Sequence, residues 1–239
     1  MPDHRRHRGA HPQDKQLFKS DQLPALRQAV SDLSWLLSHR YAVNSSLKLV
    51  GDRYNLTERQ RLAIARAACS DDQQEYRRRT ECPLEQIRGK QIVIDGFNII
   101  ITIEAALSGG VVVLCRDGCI RDLSSVHGSY RNVSETENAI RLIGEFLESE
   151  NPESVLWLLD QPVSNSGRLA QRLRDLAELR NWPWAVEVVM NPDRTIQDSQ
   201  LITITSDSIV LDGVSQWVNL GRDLIQSFQP DIWLIDLQS

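Results

Sequence analysis

Three aspartates each follow an apolar run of strand-like composition. Ile92-Val-Ile-Asp95 opens into Gly96-Phe97-Asn98, and Val155-Leu-Trp-Leu-Leu-Asp160 opens into Gln-Pro-Val-Ser164-Asn165-Ser166-Gly167. Leu201-Ile-Thr-Ile-Thr205 runs through Ser206 into Asp207-Ser208. A single aspartate so placed is ordinarily a helix N-cap or the first residue of an Asx-turn. Three of them are more than turn chemistry requires, because ligands of open α/β sheets bind outside the carboxyl ends of the strands. Carboxylates that converge without basic partners disfavour one another's ionisation, and Mg²⁺ or Mn²⁺ held through carboxylate oxygens and water is the usual remedy. Such an ion activates a water and stabilises charge in an in-line phosphoryl displacement. Asp95, Asp160 and Asp207 are therefore the expected catalytic and metal-holding residues.

A further acid is expected beside them, from Glu104, Glu135, Glu137, Asp193 or Asp198. Asp193, directly after an apolar run in Met190-Asn191-Pro192-Asp193, has the most suggestive position. Glu137 has a competing use, closing a capping box with Ser134. Asn98 could bond Asp95 or a scissile phosphate. Ser164, Ser166 and Ser208 could hold metal-bound water or phosphate oxygens at helix N-termini, with plain capping as the alternative. The polar stretch from Cys115 to Arg131 reads as a substrate-contacting loop. In it Arg116, Arg121 and Arg131 could pair with phosphates, and His127 or Tyr130 could stack on an unpaired base. Ion pairs between these arginines and the loop's own aspartates are the competing explanation. His127 could also protonate a leaving oxygen, although a lone histidine is more often an ordinary polar residue.

These residues need a frame, and the pattern of the chain supplies one. From Gln91 onward, short β-branched runs alternate with helical stretches, as in a mostly parallel α/β sheet covered by helices on both faces. The expected strands are Gln91 to Ile94, Val111 to Cys115, Val155 to Leu159, Ala185 to Val189, Leu201 to Thr205, Ile209 to Leu211 and Ile232 to Ile235. Ser134 and Ser166 are expected to open the helices between them, and Trp182-Pro183 to end the second. Before this region, Leu26, Val30, Leu33, Leu36 and Leu37 recur at helical spacing, and Thr57 with Gln60 forms a capping box. The expected organisation is a disordered basic tail over 1–20, a helical module over 21–85 and the α/β domain over 90–239.

Charge divides the same way. Met1 to Lys90 hold 17 Lys and Arg against 11 Asp and Glu, whereas Gln91 to Ser239 hold 10 against 21. A basic segment suited to phosphates thus precedes an acidic one suited to cations. Arg53, Arg59, Arg61, Arg66 and Arg77-Arg78-Arg79 are its candidate phosphate contacts, and the same helices suit a homodimer or protein partner. No apolar run approaches the roughly 20 residues of a membrane helix, and no apolar segment follows the basic N-terminus, so a cytoplasmic protein is expected. The four cysteines lack a metal-binding arrangement. Cys115 and Cys119 have no second Cys/His pair and read as buried thiols.

Ile-Asp95-Gly-Phe-Asn98 resembles the opening DGxN of NYN domains, and Thr205-Ser-Asp207 resembles the element that closes PIN and NYN active sites. Over residues 91–239 this likeness implies a PIN-like, Rossmann-like fold and Mg²⁺- or Mn²⁺-dependent cleavage of RNA. The segment Arg53-Tyr-Asn-Leu-Thr-Glu-Arg-Gln-Arg61, with Asp160-Gln-Pro-Val-Ser-Asn-Ser-Gly167, also resembles a bacterial and archaeal family whose two parts carry the labels DUF434 and DUF5616. That second resemblance implies an architecture and no reaction. Besides a metal-dependent ribonuclease, the residues allow a non-catalytic RNA-binding or scaffold protein, or a Mg²⁺-dependent nucleotide hydrolase, although no Walker loop or GxGxxG is present.

Overall fold

The computed structural model describes residues 7–124, 130–227 and 232–238. Helices α1 (Asp14–Leu17), α2 (Leu23–Ser38), α3 (Val43–Arg53), α4 (Glu58–Ala67) and α5 (Asp71–Thr80) come first, followed by a 3₁₀ turn at Leu84–Ile87. Then come β1 (Gln91–Asp95), α6 (Gly96–Leu107), β2 (Val112–Leu114), β3 (Ile120–Asp122), α7 (Thr136–Glu150) and β4 (Ser154–Asp160). The chain continues through α8 (Ser166–Arg180), β5 (Trp184–Val189), α9 (Pro192–Ser199), β6 (Ile202–Ile204) and α10 (Ser208–Leu211). It ends with β7 (Trp217–Val218), α11 (Leu220–Ser227) and β8 (Leu234–Asp236).

Five strands form one fully parallel sheet in the order β5-β4-β1-β6-β7. Successive side chains of a strand face opposite sides. Ile92, Ile94, Val155, Trp157 and Leu159 accordingly enter a core shared with α6, α7, α8 and α11. Val93 and Leu158 enter a smaller one with Ile196 of α9, Val210 and Leu211 of α10, and Trp217. The expected α/β class and parallel sheet with helices on both faces are therefore present. Numbered within the sheet, its order is 3-2-1-4-5, and the direction in which successive strands are added reverses between β1 and β6. That is the switch point at which the carboxyl ends of neighbouring strands part and open a crevice.

Several elements differ from expectation. The run at 111–115 does not join the main sheet. β2 pairs antiparallel with β3 and parallel with β8 in a second, three-stranded sheet. It lies between two cores: Val112 faces α6, while Val111 and Val113 pack with Leu26, Val30, Leu33, Ala63 and Ile64. The helical segment and the α/β segment thus share a core, because α2 and α4 have an apolar stripe that this sheet covers. Ile209–Leu211 is helical, since the Asp207 side chain caps it, and the outer strand is Trp217–Val218 instead.

Residues 7–20 are not a loose tail. Arg8 is buried against Glu104, Asp14 is buried against Arg59 at 2.8 Å, and His7 reaches Glu135 at 2.8 Å. Helix α7 starts two residues past Ser134 without a side-chain cap, and α8 follows Asn165 in a left-handed conformation rather than a Ser166 cap. Thr57 and Gln60 do form their capping box. No helix among the described residues is long and apolar enough to cross a membrane.

Candidate active site

At the switch point Asp95 is the last residue of β1, and α6 begins at once with Gly96. A Cβ on Gly96 would lie 3.0 Å from the Leu158 carbonyl and 2.6 Å from the Leu159 side chain, so glycine is what lets the chain turn this close to β4. Asp95 stands at the N-cap position of α6, but its side chain makes no cap bond. Its carboxylate instead accepts a hydrogen bond from the Thr205 hydroxyl at 2.9 Å. The capping explanation therefore fails for this residue.

The segment after β6 is stitched to the same point. Asn98 Oδ1 accepts from the Ser206 amide at 2.8 Å and the Ser206 hydroxyl at 2.7 Å. The Asp207 amide donates to Thr205 Oγ1 at 2.9 Å. Asn98 thus fixes the Thr-Ser-Asp turn rather than bonding Asp95. The capping explanation holds in part for Asp207, whose Oδ1 accepts from the Ile209 amide at 2.7 Å and the Val210 amide at 3.3 Å. Asp160 ends β4, and Asp193 lies in the first turn of α9, which Asn191 caps.

Asp95, Asp160, Asp193 and Asp207 line one cleft of about 190 Å³, together with Asn98, Asp122, Ser124, Arg66, Phe97, Ile101 and Val163. Their charges act on one another. Burial pushes the Asp95 carboxyl up, and Asp207 adds to the effect. The Thr205 bond only partly offsets it, Asp193 and Asp160 add more, and the carboxyl titrates at about 7. Asp160 is raised by burial, then by Asp193 and Asp207. Asp193 is raised by burial and by Asp207. Asp122, which the sequence did not single out, forms part of the wall. Both its oxygens are engaged, one by the Ser124 amide at 2.6 Å and the other by the Thr102 hydroxyl at 3.2 Å.

Other expected contacts lie elsewhere. Glu137 is exposed and only loosely paired with Arg172 at 3.8 Å. Glu104, on α6 itself, is buried away from the cleft lining, where it accepts from Tyr130, Thr136 and Arg8. Glu135 is taken by His7, and Asp198 faces Arg194 at 3.5 Å. Ser164, Ser166 and Ser208 do not line the cleft, and Ser166 is buried. Tyr130 is 1% exposed, too buried to stack on a base. His127 lies outside the described residues, and Arg131 is exposed with its carbonyl accepting from Arg8.

Most of the arginines expected to track phosphate are paired with carboxylates, and Arg77 and Arg121 are buried with theirs. Arg121 is buried, bonds both oxygens of Asp117 at 2.9 and 2.6 Å, and reaches the Ser206 carbonyl at 2.7 Å. Arg77 shares that aspartate at 2.7 Å and also holds Asp212. Arg116 holds Asp71, Arg61 holds Asp52, and Arg78 holds Glu75. A basic count read along a sequence cannot separate such pairs from a free cationic face. Cys115 and Cys119 are buried free thiols, as expected of them, and Cys69 is buried as well.

Fold and site together define an α/β protein with an acidic cleft at the switch point of a parallel sheet. The chain belongs to the family described as Domain of unknown function (DUF5616), whose profile matches residues 84–223. A second profile, Protein of unknown function (DUF434), matches residues 25–80. An uncharacterized protein of Methanocaldococcus jannaschii is 33% identical over 204 residues, which cover 84% of this chain and 97% of that one. No solved structure matches. Neither profile is a PIN or NYN one.

Proposed function

We propose that this protein is a metal-dependent ribonuclease whose active site is the cleft at the end of β1, β4 and β6. The observation that carries the reading is that Asp95, Asp160, Asp193 and Asp207 line one cleft at the switch point, with Asp95 only 7% exposed. Carboxylates that raise one another's pKa in a shared cleft cost stability when ionised unless a cation joins them. The likeness of Asp95-Gly-Phe-Asn98 and Thr205-Ser-Asp207 to the PIN and NYN elements supports the same reading.

The donor set fits a hard divalent cation, because it is all carboxylate oxygen. Among the described residues no three acidic, histidine or cysteine side chains are already gathered around one point. Mg²⁺ commonly takes one or two carboxylates directly and keeps the rest of its shell as water, so it does not require three. Asp95, with Asp160, Asp193 and the uncapped oxygen of Asp207, would hold it. A bound Mg²⁺ or Mn²⁺ would lower the pKa of an attacking water and offset charge on the phosphate. The chain's part is positional. Thr205 aims the Asp95 carboxylate, Asn98 holds the turn that carries Asp207, and Asn191 starts the helix that carries Asp193.

The test is cleavage of a mixed pool of labelled RNAs by the wild type and Asp95→Asn in Mn²⁺, in Mg²⁺ and in EDTA, with a mononucleotide arm. Cleavage that needs the metal and is lost in the variant is the expected result. Intact RNA throughout, with folded protein binding it, would establish a non-catalytic module instead. Turnover of mononucleotides alone would establish a phosphate hydrolase.

A further inference from the structure

The cleft is acidic, yet one of its lining residues comes from the helical segment and carries the opposite charge. Arg66 sits one residue from the C-terminal end of α4, is half-buried, and lines the same cleft as Asp95, Asp160, Asp193 and Asp207. Among the described residues of that lining it is the only Lys, Arg or His. Its neighbours in sequence and space are engaged with carboxylates: Arg59 with Asp14, Arg61 with Asp52, Arg116 with Asp71, and Arg77 and Arg121 with Asp117. Arg66 has no such pairing among the described residues, although five aspartates line the same cleft.

Its position is fixed by the backbone. The Arg66 carbonyl accepts a hydrogen bond from Arg121 Nη1 at 3.2 Å, and the Ala67 carbonyl accepts from the Arg116 amide at 3.0 Å. The same Arg121 guanidinium donates through Nε to the Ser206 carbonyl, next to Asp207. One buried side chain, locked by Asp117, therefore holds both the end of α4 and the turn bearing the Thr-Ser-Asp element. Arginine suits a phosphate at such a place, because its planar fork offers paired N–H donors to two oxygens and stays charged.

We infer that Arg66 binds a phosphate of the nucleic-acid strand in the cleft, so that the active site is composite, with its acids from the α/β segment and its substrate-anchoring cation from the helical segment. This rests on the ribonuclease reading for the identity of the substrate. A scissile phosphodiester carries negative charge into a cleft of negative carboxylates. A cation in the same lining offsets that repulsion and leaves the aspartates free for the metal.

The experiment uses the full chain carrying Asp95→Asn, so that RNA is bound and not cut, with and without Arg66→Met or Arg66→Lys. Binding of a labelled single-stranded RNA oligonucleotide is followed by fluorescence anisotropy across a salt series, with thermal melting as the check on folding. Loss of one charge-assisted contact is expected to weaken binding about tenfold in Arg66→Met. The slope of log K against log salt should fall by about 0.7, the share of one phosphate on a single strand. Arg66→Lys should restore the slope.

Unchanged affinity and slope in a folded Arg66→Met protein would overturn the proposal, as would failure of the parent protein to bind RNA at all. If the wild type cleaves nothing while binding still depends on Arg66, the ribonuclease reading falls and the phosphate contact stands.

Discussion

Asp95→Asn should stabilise the metal-free protein, and increasingly so as pH rises. The Asp95 carboxyl is moved from an ordinary 3.8 to about 7 by burial and by Asp207, Asp193 and Asp160. At 1.36 kcal/mol per pKa unit this corresponds to at most ~4 kcal/mol of disfavoured ionisation. Because the folded state holds the proton more tightly than the unfolded one, its stability is highest below about pH 4. It then falls as pH rises toward 7 and is lowest above that. Asparagine removes the charge but keeps an oxygen to accept the Thr205 hydrogen bond. Water entering the cleft would reduce the gain to ~2–3 kcal/mol, and at ~2–4 °C per kcal/mol for a chain of this size the melting temperature should rise by ~5–10 °C at pH 8.

Calorimetry of both proteins in EDTA from pH 4.5 to 8.5 measures the difference directly. The gap should widen over a broad range, since the neighbouring acids titrate together. Added Mg²⁺ or Mn²⁺ should raise the wild-type melting temperature more than that of the variant, by linkage to the folded state. Identical melting temperatures at pH 8, or a gap that does not change with pH, would refute the electrostatic account of the cleft.

Thr205→Val removes the one bond that favours the charged form of Asp95, so the acid limb of the cleavage–pH profile should move upward by ~0.7 pH, the equivalent of a hydrogen bond of ~1 kcal/mol. An unmoved limb would show that Asp95 does not set it. Asp117→Asn should destabilise the fold by ~3–5 kcal/mol, read by urea denaturation, because it leaves Arg121 buried without a counter-charge and Arg77 with Asp212 alone. Burial opposes ionisation of Asp117, but Arg121 and Arg77 outweigh it and hold the carboxyl at about 2. The stabilisation it provides should therefore be present above about pH 4 and be lost as pH falls toward 2. A loss that did not depend on pH there would contradict the ion pairs as its source.

Sequence alone determined the local matters: an α/β alternation, helices with apolar stripes at helical spacing, and aspartates where strands stop. These are legible because side-chain periodicity follows from backbone geometry. It also marked Asp193 as the best-placed additional acid, from its position directly after a strand. What it could not determine depended on neighbours distant in the chain. The strand at 111–115 looks like any other apolar run, yet it leaves the main sheet, giving one face to the helices before it and one edge to the strand at 234–236.

Ser166 and Glu137 have the residue types of site groups, but packing turns one inward and the other to solvent. Asp122 and Arg66 lie on a wall built from a strand and a helix that only the fold brings together. Many of the basic residues of the first 90 are paired with carboxylates, some of them distant in the chain, as Arg77 is with Asp212, 135 positions away. Charge can be counted along a chain, but whether a charge is free is settled by its partner across the fold.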